Sequence, residues 1–178
     1  MWILRHAFAI AVLPVTVTIL VPRWICRRYG IAFQPPADTL AWLSILAGAL
    51  LLLAGLTLFV TSLYLFATEG RGTLAPWDPP RHLVVRGPYR FVRNPMISGV
   101  LLIVFAESLI FRSVPLAEWA AAFAVINMIY IPILEEPQLR WRFGDEYQEY
   151  KRNVPRLLPR LRPWNRETLT GVDSHRGR

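Results

Sequence analysis

Residues 40–67 read LAWLSILAGALLLLAGLTLFVTSLYLFA. These 28 residues contain no Asp, Glu, Lys, Arg or His, and at about 1.5 Å per residue a helix of that length exceeds the roughly 30 Å hydrocarbon core of a bilayer. The stretch is a transmembrane helix. Within it Ala47, Gly48, Ala54 and Gly55 repeat at seven-residue spacing, a small-residue stripe that lets another helix approach closely. Toward the N-terminus, Ala7 to Ile25 is a second apolar span, interrupted by Pro14 and fringed by Arg5 and Arg23. No small-residue cleavage site follows it clearly, so it reads as a span and not as a signal peptide. Toward the C-terminus, Met96 to Phe111 and Leu116 to Leu134 are separated only by Arg112, Ser113, Val114 and Pro115, which predicts a tight helical hairpin whose arms pack together. The expected fold class is all-α integral membrane, with about four transmembrane helices.

Composition agrees with that reading. Of the 178 residues 54% are hydrophobic and 18% charged, too apolar for an ordinary soluble domain. One cysteine, Cys26, excludes an intramolecular disulfide framework, a Cys-rich zinc site and an iron–sulfur cluster. The net charge is +8, and its distribution decides its meaning. Four spans place the N-terminus, the loop from Thr68 to Pro95 and the tail on one side, with sixteen basic residues, against Arg23, Arg27, Arg28 and Arg112 on the other. The positive-inside rule then puts both termini in the cytoplasm of a multi-pass cell (inner) membrane protein. Trp24, Trp42 and Trp119 fall at the outer interface, and Trp2, Trp77, Trp141 and Trp164 at the inner one. Because sidedness accounts for most of the charge, nucleic acid is not an expected partner.

Polar residues that a small bundle need not carry concentrate in two stretches on the cytoplasmic side. The first, Gly70 to Gly99, holds Tyr89, Arg90, Arg93, Asn94 and Pro95 at the mouth of the third span. Pro95 suits a first helical turn. A helix N-terminus there offers free N–H groups and a positive dipole end to a carboxylate or phosphate, though a basic snorkelling collar is the alternative. The second stretch, Leu134 to Pro159, begins with Glu135 and Glu136, and Pro137 follows directly. Neighbours on a helix point about 100° apart, so the two acids have different roles. Glu136 has Arg140 four residues on, the favourable order for a helical ion pair. Glu135 falls in the i, i+4 series Asn127, Ile131, Glu135 and is the functional candidate. Beyond it Leu139, Phe143, Tyr147, Tyr150 and Val154 form an amphipathic stripe, either a helix on the membrane surface or the cap of a pocket. Glu107 and Glu118 sit near the outer end, where Arg23, Arg27, Arg28 or Arg112 can neutralise them. His6 and His175 lack metal-ligand spacing, and no metal site is expected. No HExxH, GxSxG, Walker or dinucleotide glycine motif is present.

Together the two stretches resemble the isoprenylcysteine carboxyl methyltransferase and phospholipid methyltransferase superfamily of integral membrane enzymes that use S-adenosylmethionine. The residues carrying the resemblance are Leu83, Val84, Gly87, Tyr89, Arg93, Asn94 and Pro95, then Glu135, Glu136, Phe143, Gly144, Tyr147, Tyr150, Val154 and Pro155. It covers roughly residues 70 to 160. The resemblance implies a cofactor pocket formed with a cytoplasmic amphipathic helix and lined by His82, Leu83, Val84, Tyr89, Asn94, Pro95, Met96, Ile97 and Glu135. Asn94 stands where eukaryotic members carry His and Ile97 where many carry Tyr, and the RNPM form looks like a bacterial subgroup. Ile131 occupies the position of an Arg that contacts the substrate in eukaryotic prenylcysteine enzymes.

The chain thus divides into an N-terminal helix pair (1–67), a methyltransferase core (68–160) and a basic tail (161–178). Methyl transfer from a sulfonium is an in-line displacement, so alignment and desolvation supply most of the catalysis. On this reading backbone N–H groups near Asn94 and Pro95 hold the cofactor's carboxylate, Tyr89 packs the adenosine, and Glu135 binds a hydroxyl or the ammonium. The acceptor is lipophilic, an isoprenylcysteine-type carboxylate or a phospholipid amine, and enters from the bilayer. An amine acceptor must lose a proton, for which Glu135 or Glu136 is the nearest base. Two other classes compete: a membrane reductase of sterol-reductase type using NADPH, and a non-catalytic scaffold whose Arg156, Arg160, Arg162 and Arg166 bind anionic lipids.

Overall fold

The computed structural model describes residues 11–69 and 82–165. Arg5, His6, Trp2, Trp77, His175 and Arg166 lie outside them. The described residues form helices and no strand. A π-helical segment, Ala11–Leu20, runs directly into α1 (Val21–Tyr29). α2 (Thr39–Thr68) follows, capped by Asp38, whose carboxylate accepts from the Ala41 N–H at 2.7 Å. A 3-10 turn (Gly87–Arg90) precedes α3 (Pro95–Ile110) and α4 (Val114–Tyr130). α4 continues through a second π-helical segment, Ile131–Glu135, into α5 (Glu136–Asn153).

Two helices are long and apolar enough to cross a membrane: α2, with 30 residues, and the continuous run Val114–Asn153, with 40. They are not buried core helices of a soluble fold, because Leu50 and Leu53 on α2 are 60% and 65% exposed. Such a surface suits lipid and not water. α3 is apolar but has only 16 residues.

The small-residue stripe of α2 meets α3. A Cβ built on Gly55 would lie 2.8 Å from the Gly99 carbonyl oxygen, and one on Gly99 2.9 Å from that of Gly55. The two backbones therefore touch, as glycine pairs permit in lipid. Ser44 Oγ donates to the Leu109 carbonyl at 2.9 Å farther along the same seam. The α3–α4 hairpin forms as expected, turning at Arg112, whose φ is +47°, and restarting where Ser113 Oγ accepts from the Leu116 N–H. The N-terminal segment is tied to α4 by the Trp119 indole, which donates to the Val17 carbonyl at 3.1 Å.

One expectation at that end needs correcting. No ion pair among the described residues includes Glu107 or Glu118. Arg112 instead donates to the Gln34 carbonyl at 3.1 Å, and Glu107 Oε2 is buried without a hydrogen-bond partner.

At the opposite end, where α2 finishes and α3 begins, Tyr147, Tyr150, Val154 and Trp164 form a buried cluster against Leu83, Val85, Leu139 and Phe143. Tyr150 and Trp164 stack obliquely at 5.9 Å. Gly144, with φ +54° and ψ −129°, bends α5 and lets both of its halves face this cluster. Residues 154–165 cross back over the loop before α3 as a strap.

Candidate functional site

The 3-10 turn brings the first polar stretch under the bundle. Gly87 takes φ +52°, and a Cβ there would lie 2.8 Å from Leu65 Cδ1, so the turn seats directly on the end of α2. It carries Tyr89 inward. The Tyr89 carbonyl accepts from the Tyr150 hydroxyl at 2.6 Å, and burial, then the nearby Glu135 charge, pushes the Tyr89 phenol above its ordinary range.

Asn94 occupies the N-cap of α3 but does not cap it. A capping Asn accepts from the first-turn amides, whereas this one turns its Nδ2 to donate to Glu135 Oε1 at 3.1 Å. The Asn94 N–H is also engaged, with the Arg156 carbonyl at 3.1 Å, and the Arg93 N–H with that of Pro155 at 2.8 Å. Pro95 has no N–H. The free N–H groups near Asn94 and Pro95 are therefore those of Met96 and Ile97, which have no carbonyl four residues back within the helix.

The π-helical segment decides the roles of the two glutamates. Pro132 lacks the N–H that would continue the α-helical ladder, and the wider turn admits one extra residue. Asn127 and Ile131 are buried, Ile131 completely, and the next buried position on that line is Glu136, five residues on instead of four. Glu135 is rotated off the line and into a cavity. Glu135 thus still faces the cavity, but the i, i+4 argument for it fails.

Glu136 does not pair with Arg140 and does not line the cavity. Its carboxylate, 4% exposed, receives Arg93 Nη1 at 3.0 Å, Arg156 Nε at 2.8 Å and Lys151 Nζ at 2.6 Å. Burial works against its charge, but the bonds from Arg156 and Lys151 and the nearby Arg93 outweigh it and hold the carboxyl below the usual range. Three cations around it favour the ionised form. Glu135 is pushed the other way: burial raises its pKa, the Asn94 bond opposes, the Glu136 charge raises it and Arg93 lowers it.

The cavity has a volume of about 290 Å³. His82, Leu83, Val84, Tyr89, Asn94, Pro95, Met96, Ile97 and Glu135 all line it. Sequence reasoning missed Leu13, Phe66 and Tyr130, which reach it from three other helical segments. It also missed Gln138 and Arg142, although these continue the Glu135 face at i+3 and i+7 and carried that signal. Leu139, Phe143, Tyr147 and Tyr150 of the amphipathic stripe close one side. Burial pushes the Tyr147 phenol up to about 12, so it remains a donor.

The lining suits a donor such as S-adenosylmethionine. It offers aromatic faces, a carboxylate, an uncapped helix N-terminus and Arg93, whose side chain is 7% exposed and whose Nε is buried without a partner. Among the described residues no cluster of His, Cys, Asp or Glu could hold a metal ion.

Residues 43–146 match the family model described as phospholipid methyltransferase. A 76-residue segment is 38% identical to methanethiol S-methyltransferase 2 of Bradyrhizobium diazoefficiens, covering 41% of this chain and 27% of that protein. A 77-residue segment is 38% identical to the methanethiol S-methyltransferase of Pseudomonas deceptionensis, covering 42% and 27%. The chain thus spans about a quarter of the length of the curated relatives it matches. No solved structure matches. The family model takes in α3, both glutamates and all nine residues expected around the cofactor, and the chain belongs to the phospholipid methyltransferase family of membrane methyltransferases.

Proposed function

We propose that this protein is a multi-pass inner-membrane enzyme that moves a methyl group from S-adenosylmethionine to a lipophilic acceptor. The observation that carries the reading is the Asn94–Glu135 bond at 3.1 Å inside one cavity that also holds the other expected residues. The first-turn amides of α3 and the unpartnered Arg93 Nε receive a carboxylate, Tyr89 and Phe143 pack an adenosine, and Glu135 receives a hydroxyl or ammonium. S-adenosylmethionine, when bound, supplies the methyl group on a sulfonium leaving group. The protein's contribution is alignment and exclusion of water within a largely apolar wall.

The acceptor reaches the cavity between Leu13, Phe66 and Tyr130, the lining residues that belong to apolar helices. A thiol or an amine fits better than a carboxylate. Ile131, at the position of the substrate-contacting Arg of prenylcysteine enzymes, is fully buried and brings no charge to a carboxylate. Both acceptor types lose a proton, and Glu135 is placed to take it. The relatives named for methanethiol support the thiol. The excess of basic residues on the site side supports a cytoplasmic site and cytoplasmic ends, with α3 and the N-terminal segment completing four spans. Membrane lipids are the expected surroundings, and nucleic acid has no role.

Calorimetric titration of the detergent-purified full chain with S-adenosylhomocysteine tests the donor. Micromolar binding that is lost in Glu135→Gln is the expected result. Binding of NADPH instead, or no binding by folded protein, sinks the reading.

A further inference from the structure

The strap lies outside the segment that matches the family model, residues 43–146, yet it is bonded to the loop that carries Asn94. Arg93 and Asn94 give their N–H groups to the Pro155 and Arg156 carbonyls, while the Phe91 and Arg90 carbonyls accept from the N–H groups of Arg160 at 3.0 Å and Trp164 at 2.9 Å. Ser98 Oγ on α3 donates to the Leu157 carbonyl at 3.2 Å. Val154 and Trp164 anchor the two ends of the strap in the buried cluster.

One strap residue touches both members of the Asn94–Glu135 pair's immediate support. Arg156 holds the Asn94 N–H through its carbonyl at 3.1 Å, and holds Glu136 Oε1 through its Nε at 2.8 Å. Glu136 is the covalent neighbour of Glu135, and Asn94 Nδ2 closes the ring by donating to Glu135. The ring therefore runs from Asn94 to Glu135, along the backbone to Glu136, across to Arg156 and back to Asn94. It brings together the N-terminus of α3 and the π-helical segment, two elements of different helices whose relative placement nothing covalent fixes nearby. Arg156 does not line the cavity, so any effect it has on a ligand passes through this ring.

We propose that Arg156 is a positioning residue for methyl transfer: its carbonyl and its guanidinium together set the distance between Asn94 and Glu135. Lys151 also reaches Glu136, but its side chain is 49% exposed, and it makes no bond to the α3 loop. Arg93 touches Glu136 from the loop side and lines the cavity itself. Only Arg156, among the cations on Glu136, joins the two sides from outside the cavity.

The inference rests on the reading that the Asn94–Glu135 pair holds the donor, and the test separates the two. S-adenosylhomocysteine is titrated into the full-length wild type, Arg156→Gln, Arg156→Lys and Arg160→Gln, with thermal unfolding of each in the same detergent. Arg160 belongs to the same strap, and its side chain donates to the Asn153 carbonyl at 2.7 Å without reaching Glu136. Positioning predicts that Arg156→Gln weakens binding about tenfold, as loss of an orienting partner commonly does, while Arg156→Lys keeps most of the affinity and Arg160→Gln binds like wild type. Wild-type affinity in Arg156→Gln overturns the inference and leaves the donor reading intact. Equal weakening in Arg156→Gln and Arg160→Gln, or loss of cooperative unfolding in Arg156→Gln, also overturns it, because the strap then acts on stability alone. Folded wild type that does not bind removes the donor reading and this inference with it.

Discussion

Where α2 passes α3, glycine meets glycine and nothing ionised takes part: Gly55 and Gly99 bring two backbones into contact. Where α3 begins, a single buried carboxylate, Glu136, gathers three cations from the loop, α5 and the strap. The first seam is held by dispersion and close approach, which a lipid environment leaves as the main source of helix association. The second is held by charges that water would otherwise solvate, and such a cluster is worth most for fixing geometry and little as net stability. The glycine seam is therefore expected to be indifferent to single charge changes, and the site end to respond to them.

The largest expected effect comes from breaking the charged side of this comparison. Glu136→Ala leaves Arg93 buried without a counter-ion and costs about 3–5 kcal/mol, visible as a large drop in thermal unfolding temperature, whereas Glu136→Gln costs less because it still accepts a hydrogen bond. Gly99→Ala attacks the uncharged seam. Its methyl group meets the Gly55 carbonyl oxygen at 2.9 Å, and overpacking of this kind costs about 1–3 kcal/mol with no change in pH dependence. If the pH profile of Gly99→Ala shifts, the two regions are not independent. Gly144→Ala is milder, about 1–2 kcal/mol, because φ +54° with ψ −129° strains any side chain while no neighbouring atom lies within 4 Å of the new Cβ.

The smallest effect is a pH ordering. Glu135 has a raised pKa, so on acidification it takes up a proton above the ordinary glutamate range of about 4.3. Affinity for S-adenosylhomocysteine falls severalfold through that interval in wild type. Glu136 has a lowered pKa, so its contribution is complete above the ordinary range and is lost as pH falls through its depressed folded value. Binding is thus lost before the fold is. Simultaneous loss of both in a pH titration would mean that the two carboxyls titrate as one unit.

Much of the site was legible because its residues are adjacent in sequence and chemically conspicuous. Tyr89, Asn94 and Pro95 fall within one loop and helix start, and Glu135 closes an apolar span. The resemblance to a family then tied the two stretches together. Leu13, Phe66 and Tyr130 were not legible. They are ordinary apolar residues on apolar helices, and only the packing angle of those helices decides which of many such residues faces a cavity. The pairing of Glu136 was misread for a related reason. Arg140 is its neighbour on an ideal helix, but three cations distant in sequence by 15 to 43 residues reach it first.

By itself the sequence determined that this is a helical membrane protein with a polar site at one end. Twenty-eight uncharged residues cannot be hidden in a chain of this size, and the arginines, glutamates and aromatics of the site are too costly to place elsewhere. Only the tertiary structure decided which of two adjacent glutamates faces the cavity and which holds the frame. A single extra residue in the turn at Pro132 rotates everything after it by about 100°, and that rotation is set by the partners waiting on either side: Asn94 for one carboxyl, Arg93, Lys151 and Arg156 for the other.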